Sequence, residues 1–211
     1  MKLSSKALAC GQSPMRKFHP YAVAAAAAGK KIYHLNIGQP DIHTPDALYD
    51  AIHNFRTPVL AYAASPGIPE LISAIEGYYR NIGVQLSESD ILVTTGGSEA
   101  LQIAANCLLD DGDEVIVPAP YWVSYPEMVK LAGGEPVIVE AGIEQDFKIT
   151  PAQLEAAITP KTKALILCSP SNPTGSVYSA EELVGLAEVL KKHPDIIVIA
   201  DEIYEHINYI G

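Results

Sequence analysis

Apolar residues in this chain recur at two periods that take turns. Leu71, Ile72, Ile75 and Tyr79 fall at helical spacing, and Leu101, Ala104, Ala105 and Leu108 repeat the pattern. Short apolar runs at residues 91–94, 115–117, 136–139, 164–168 and 196–200 read instead as strands. Helix starts are marked between them. Thr150-Pro-Ala-Gln153 is a capping box with Pro at the first helical position, where its missing amide leaves nothing unpaired. Ser179-Ala-Glu-Glu182 is another, opening a helix with Leu183, Leu186 and Leu190 inward. Nearer the start, residues 1–35 read as an arm followed by a helix over 20–28, and residues 38–45 as a Pro-rich connector. There is no internal repeat, low-complexity tail or flexible linker. Alternating units of this kind predict an α/β fold, a mainly parallel sheet sandwiched by helices.

Polar strings sit where two of these strands end. Ser169-Pro-Ser-Asn-Pro-Thr-Gly175 follows the run 164–168, and Asp201-Glu-Ile-Tyr204 follows the run 196–200. The carboxyl ends of buried parallel strands are where an α/β protein builds a ligand site. Asn172, Asp201 and Tyr204 converging there suit a flat aromatic cofactor with a ring nitrogen and a phenolic oxygen, such as pyridoxal 5′-phosphate. A carboxylate at Asp201 favours a protonated ring nitrogen. Thr94-Thr-Gly-Gly-Ser98 lies between a strand and a helix, so Gly97 and Ser98 are candidate donors to a phosphate. The plainer reading is an ordinary turn with Ser98 as helix cap. Trp122, the single Trp, follows the strand 115–117, where a rigid ring can stack on a cofactor or pack in the core.

The chain resembles the class I/II aminotransferases, the fold-type I enzymes that use pyridoxal phosphate. The resemblance rests on Asn36-Ile-Gly-Gln-Pro-Asp41, Tyr62 with Pro66-Gly-Ile-Pro-Glu70, residues 94–101, residues 112–122, Ser169–Gly175 and Asp201–Tyr204, in that order. It implies amino transfer between an amino acid and a 2-oxo acid, with aspartate the default donor. It gives Gly97 and Ser98 the phosphate, Trp122 the ring face, Asp201 the ring nitrogen, and Asn172 and Tyr204 the phenolic oxygen. Tyr62 would reach the phosphate of a neighbouring subunit, which requires a homodimer, and Gly38 would lie near the substrate carboxylate. Ser98 departs from some bacterial aspartate enzymes, whose Lys at this position meets a distal carboxylate.

Family members hold the cofactor as a Schiff base to a Lys beyond the Asp-x-x-Tyr string, and bind the substrate carboxylate with a later Arg. The chain ends at Gly211, so no catalytic residue is assigned, and the expectation is of an amino-terminal portion inactive alone. Residues 1–45 would form the arm and connector, part of the family's small domain, and 46–211 the first part of the cofactor-binding domain. The family's strand order leaves the strand 91–94 apart from 164–168, so an interrupted sheet is expected. Lys161, Lys163, Lys191 and Lys192 precede strands and lie at the far ends from the site, while Lys130 and Lys148 have no site context. At least one cis peptide is expected at Ala119–Pro120 or Asn172–Pro173. Two alternatives share the fold: a pyridoxal-phosphate-dependent carbon–sulfur lyase, and a non-catalytic ligand-binding domain of the kind found in regulators. The latter usually carries a basic DNA-binding segment, which this chain lacks.

The 211 residues can bury one sizeable core. A formal charge of -11 argues against nucleic acid and anionic membrane as partners. Three Cys without a Cys-x-x-Cys fit a reducing, cytoplasmic setting, with Cys107 and Cys168 read as core residues. Six scattered His show no ligand spacing, so no metal is expected.

Overall fold

The computed structural model describes residues 2–11, 13–38, 40–207 and 209. The chain divides into two compact units, Met1–Gly11 with Thr95–Gly211, and Gln12–Thr94. In chain order the helices are α1 (Ser5–Ala9), α2 (His19–Ala27), α3 (Asp46–Asn54), α4 (Pro69–Asn81), α5 (Gly97–Leu108), α6 (Tyr125–Ala132), α7 (Pro151–Ala157) and α8 (Ala180–Leu190). The strands are β1 (Glu114–Ala119), β2 (Glu135–Glu140), β3 (Thr162–Cys168) and β4 (Ile197–Asp201). No helix among the described residues is long and apolar enough to cross a membrane.

All four strands are parallel and stand in the order β2-β1-β3-β4. The alternation of side chains along a strand explains why these runs are apolar at every position. Ile116 and Leu165 face one side, against Leu154 of α7 and Leu186 and Val189 of α8. Val115, Val117, Ala164 and Ile166 face the other, against Ala105 of α5 and Tyr125 and Val129 of α6. Both faces are therefore dry at the central strands β1 and β3, and each buried Leu or Val there contributes roughly 1.5–3 kcal/mol.

The connections fix where a crevice forms. β1 runs through α6 to β2 on one side. β2 runs back through α7 to β3 on the other side, and α8 then leads to β4. Opposite crossing directions put helices on opposite faces, and the chain switches direction between β1 and β3. That is the point where the loops after adjacent strands splay apart. The β3–β4 register sets Cys168 beside Asp201, which carries the acid to the carboxyl edge.

Both capping boxes form. Thr150 Oγ1 accepts from the Gln153 amide at 3.2 Å while Gln153 Oε1 accepts from the Thr150 amide at 2.9 Å. Ser179 Oγ accepts from the Glu182 amide at 3.2 Å, and Glu182 Oε2 from the Ser179 amide at 2.7 Å. Lys148 pins that box from outside, its Nζ 2.8 Å from Glu182 Oε1. The lysine hydrogen bond, first, and the Ser179 amide, second, hold the Glu182 carboxyl below the usual carboxylate range. Tyr178 ties the start of α7 to the segment before α8, its hydroxyl oxygen accepting from the Ile149 amide at 2.9 Å.

Four expectations fail, the first being an inward Leu183, which is exposed on α8 while Leu186 and Val189 take the inward face. Residues 91–94 are extended but form no strand, and the Val93 amide donates to the Pro66 carbonyl at 2.8 Å instead. A strand needs a ladder partner, and none is present among the described residues. The sheet is accordingly continuous rather than interrupted, with β4 at one edge and its Ile197 and Val198 exposed. Cys107 is exposed rather than in the core, because α5 turns Ala105 and Leu101 to the sheet. In the Gln12–Thr94 unit, α4 buries Ile72. Gly67 there has φ +130°, and a Cβ on it would lie 2.6 Å from Val93 Cγ2, so a side chain is excluded on both counts.

Leu154 is wholly buried at the centre of one core face. Leu154→Ala is expected to destabilise the chain by about 2–5 kcal/mol, read as a lower urea midpoint. Glu182→Gln tests the Lys148 contact. A depressed carboxyl pKa stabilises the fold at pH values above the unfolded pKa of about 4.3, and that contribution is lost as pH falls through the folded value. The stability gap between the native chain and Glu182→Gln should therefore close on acidification from pH 7, measured by urea unfolding at each pH.

Candidate active site

The residues after β1, β3 and β4 meet the start of α5 around one cleft of about 270 Å³. It is lined by Gly97, Ser98, Leu101, Trp122, Tyr125, Asn172, Asp201, Ile203 and Tyr204. Gly97, Ser98, Trp122, Asn172, Asp201 and Tyr204, each singled out in the sequence, thus share one concavity although they come from four separate segments. Tyr62 and Gly38 lie in the Gln12–Thr94 unit, and both are exposed.

Each wall has a local cause. Gly96 caps α5 with φ +143°, a conformation that L side chains rarely adopt. A Cβ there would meet nothing within 4 Å, so backbone geometry rather than crowding calls for glycine. The turn brings the chain into α5 so that the amides of Gly97 and Ser98, in the first helical turn, have no intrahelical acceptor. The positive end of the helix dipole adds to their pull on an anion. Glu99 folds back and accepts from the Thr95 amide, at 2.6 Å, which holds its carboxyl below the usual range.

On the strand side, Asn172 Nδ2 donates to the Tyr204 hydroxyl oxygen at 3.0 Å. This pairing leaves the Tyr204 proton free to point at an acceptor in the cleft. Ala119–Pro120 and Asn172–Pro173 are both cis, as is Ser169–Pro170. Asp201 is half-buried, and its Oδ2 accepts from the Tyr125 hydroxyl at 2.7 Å. Tyr125 itself is buried, with its ring edge-on to Trp122, centroids 5.4 Å apart and planes at 80°. Burial, followed by the hydrogen bond to Asp201, pushes the Tyr125 phenol far above its ordinary pKa. It stays protonated at any working pH.

Tyr125 is the residue that sequence reading missed. Its spacing of three from Trp122 at a helix start was visible, but its partner is 76 positions away and only the fold joins them.

No lysine lines the cleft among the described residues. Lys161 and Lys163 lie at the amino end of β3, and Lys191 and Lys192 precede β4. Lys192 pairs with Glu155 at 2.8 Å and Lys130 with Glu127 at 3.1 Å. A strand of this length spans about 17–20 Å, which separates these amines from the carboxyl edge.

The sequence pattern of the family described as aminotransferase class I and II matches residues 30–210. The chain belongs to this family. An aspartate/prephenate aminotransferase from Cereibacter sphaeroides is 51% identical over 187 residues, which is 86% of this chain and 46% of that protein. An aspartate aminotransferase from Bacillus subtilis is 45% identical over 213 residues, all of this chain and 54% of the relative. The crystal structure of the aspartate aminotransferase from Rhizobium meliloti matches with a TM-score of 0.93 at 39% identity, over all of this chain and 53% of that one. The chain thus spans about half the length of the curated relatives it matches. The parallel sheet with helices on both faces is the aminotransferase large-domain fold, and this chain covers the part that carries β1 to β4.

Proposed function

We propose that the cleft is the cradle for pyridoxal 5′-phosphate in an aminotransferase that moves an amino group between an amino acid and a 2-oxo acid. The observation that carries this reading is convergence. An open helix amino terminus, a lone Trp, a half-buried carboxylate and an Asn–Tyr pair stand around one small cleft. This donor set fits the cofactor group by group. The Gly97 and Ser98 amides suit a phosphate. The Trp122 ring suits a flat heterocycle. Asp201 suits a protonated ring nitrogen, and Tyr204, oriented by Asn172, suits a phenolate oxygen. Bound there, pyridoxal phosphate supplies an electron sink for the carbanion left when the Cα proton of an amino acid is removed.

What this chain's residues do is bind and orient. Asp201 keeps a ring nitrogen protonated, Tyr204 donates to the neighbouring oxygen, and Trp122 covers one face against water. The base that moves the Cα proton is not among the cleft residues, and the 211-residue chain alone is expected to be inactive. The names of the relatives favour aspartate as amino donor. Ser98, an uncharged residue, offers no cationic partner to a second carboxylate. Tyr62, fully exposed, is assigned to the phosphate of a second subunit in a cytoplasmic homodimer.

Trp122 is the single Trp, so its fluorescence reports on the cleft directly. Titration of the chain with pyridoxamine phosphate, which has no aldehyde, should quench it saturably. Asp201→Ala should weaken that binding about ten-fold or more, as expected when a charged hydrogen-bond partner of about 1.5–3 kcal/mol is lost. An unquenched Trp at millimolar ligand would rule the cradle out. In a second experiment, pyridoxal phosphate followed by borohydride should leave no stoichiometric pyridoxyl-lysine within residues 1–211 by mass spectrometry. Full labelling of one lysine, with transamination, would show that the chain is catalytically complete.

A further inference from the structure

We propose that Tyr125 is the positioning residue of this site, a neutral donor that orients Asp201 toward a ring nitrogen without cancelling its charge. The inference rests on the cradle reading above and adds a residue to it.

Three observations carry it. The Tyr125 hydroxyl occupies Oδ2 of Asp201 at 2.7 Å. Among the described residues the other oxygen, Oδ1, has just a long contact of 3.4 Å from the Ile203 amide, so it is the oxygen left for a ligand in the cleft. The Tyr125 ring is itself fixed, buried at the start of α6 and held edge-on by Trp122. A carboxylate on a strand end can otherwise rotate about its side-chain torsions; one anchored oxygen removes that freedom.

The chemistry of the donor matters as much as its place. A Lys or Arg on Oδ2 would neutralise the carboxylate and repel a protonated ring. A buried phenol donates one proton, carries no charge and does not ionise. The titratable groups facing it are Asp201 from β4 and Cys168 from β3, and each disfavours a phenolate. Asp201 therefore keeps its negative charge for the ligand while losing its freedom to turn away. Positioning of this kind strengthens a charged contact by fixing its geometry in advance.

The test compares two probes on the 211-residue chain: pyridoxamine phosphate, and its 1-deaza analogue in which C–H replaces the ring nitrogen. Trp122 quenching gives Kd for each. The native chain should prefer the nitrogen-bearing probe, and Asp201→Asn should abolish that preference. Tyr125→Phe should cut the preference about ten-fold, roughly one factor of 1.4 kcal/mol, while leaving the Kd of the deaza analogue unchanged. In the Asp201→Asn background, Tyr125→Phe should have no further effect on the preference. The unchanged analogue affinity doubles as the check that the cleft is folded, and a circular dichroism melt gives a second. Equal weakening of both probes in Tyr125→Phe, or a full native preference, overturns the positioning role and leaves the cradle standing. A preference that survives Asp201→Asn overturns the cradle assignment of Asp201 and the inference with it. A native chain that binds neither probe overturns both.

Discussion

The burial of a parallel sheet on both faces is the constraint from which the rest of this structure follows. Parallel strands cannot be joined by tight turns, so each connection must cross over through a helix. With crossovers of one hand, a chain that first moves outward to β2 and then back past β1 to β3 must place α6 on one face and α7 and α8 on the other. Ile116 and Leu165 face one helix layer and Val115, Val117, Ala164 and Ile166 the other, and none is free to be polar. Positions at and just past the carboxyl ends of the strands are released from that demand. Trp122, Asn172, Asp201 and Tyr204 all stand there.

A rigid scaffold with polar loops at one edge also explains how so few contacts organise the cleft. Two hydrogen bonds, Asn172 to Tyr204 and Tyr125 to Asp201, cross between segments and tie each functional side chain to a neighbour. Under the proposed cradle reading, both leave one polar atom for a ligand: the Tyr204 proton in the first, Asp201 Oδ1 in the second. The Trp122–Tyr125 edge contact links the stacking ring to the second of these pairs. The proposed phosphate end is organised differently. There the groups are backbone amides at a helix start, and a glycine at φ +143° sets their direction.

Family membership and half-length coverage fit the same physical picture. The cleft is lined by groups from residues 97–204 and, among the described residues, by no lysine; Lys161 and Lys163 stand at the amino end of β3, and Lys130 and Lys192 are held in ion pairs. β4 closes one side of the sheet with Ile197 and Val198 exposed, an edge with unpaired backbone groups of the kind that attracts a further strand.

Local chemistry was legible wherever neighbours in sequence are neighbours in space. The capping boxes at Thr150 and Ser179 formed as read, because both partners lie within one helical turn. The strands at 115–117, 136–139, 164–168 and 196–200 were legible as continuous apolar runs, which burial on both faces explains for the central β1 and β3. Motif resemblance reached further and singled out six residues that the fold brings to one cleft. What the sequence could not reveal was pairing at long range. Residues 91–94 have a strand's composition but no ladder partner, and the Pro66 carbonyl takes the Val93 amide instead. Cys107 lies on an apolar stretch, but the rotation of α5 is set by the sheet beneath it, and that leaves it exposed. Tyr125 was indistinguishable from a core aromatic until the β3–β4 register carried Asp201 to within 2.7 Å of its hydroxyl. Propensity and periodicity decide which elements form; only packing, which acts between residues far apart in the chain, decides which side chains meet.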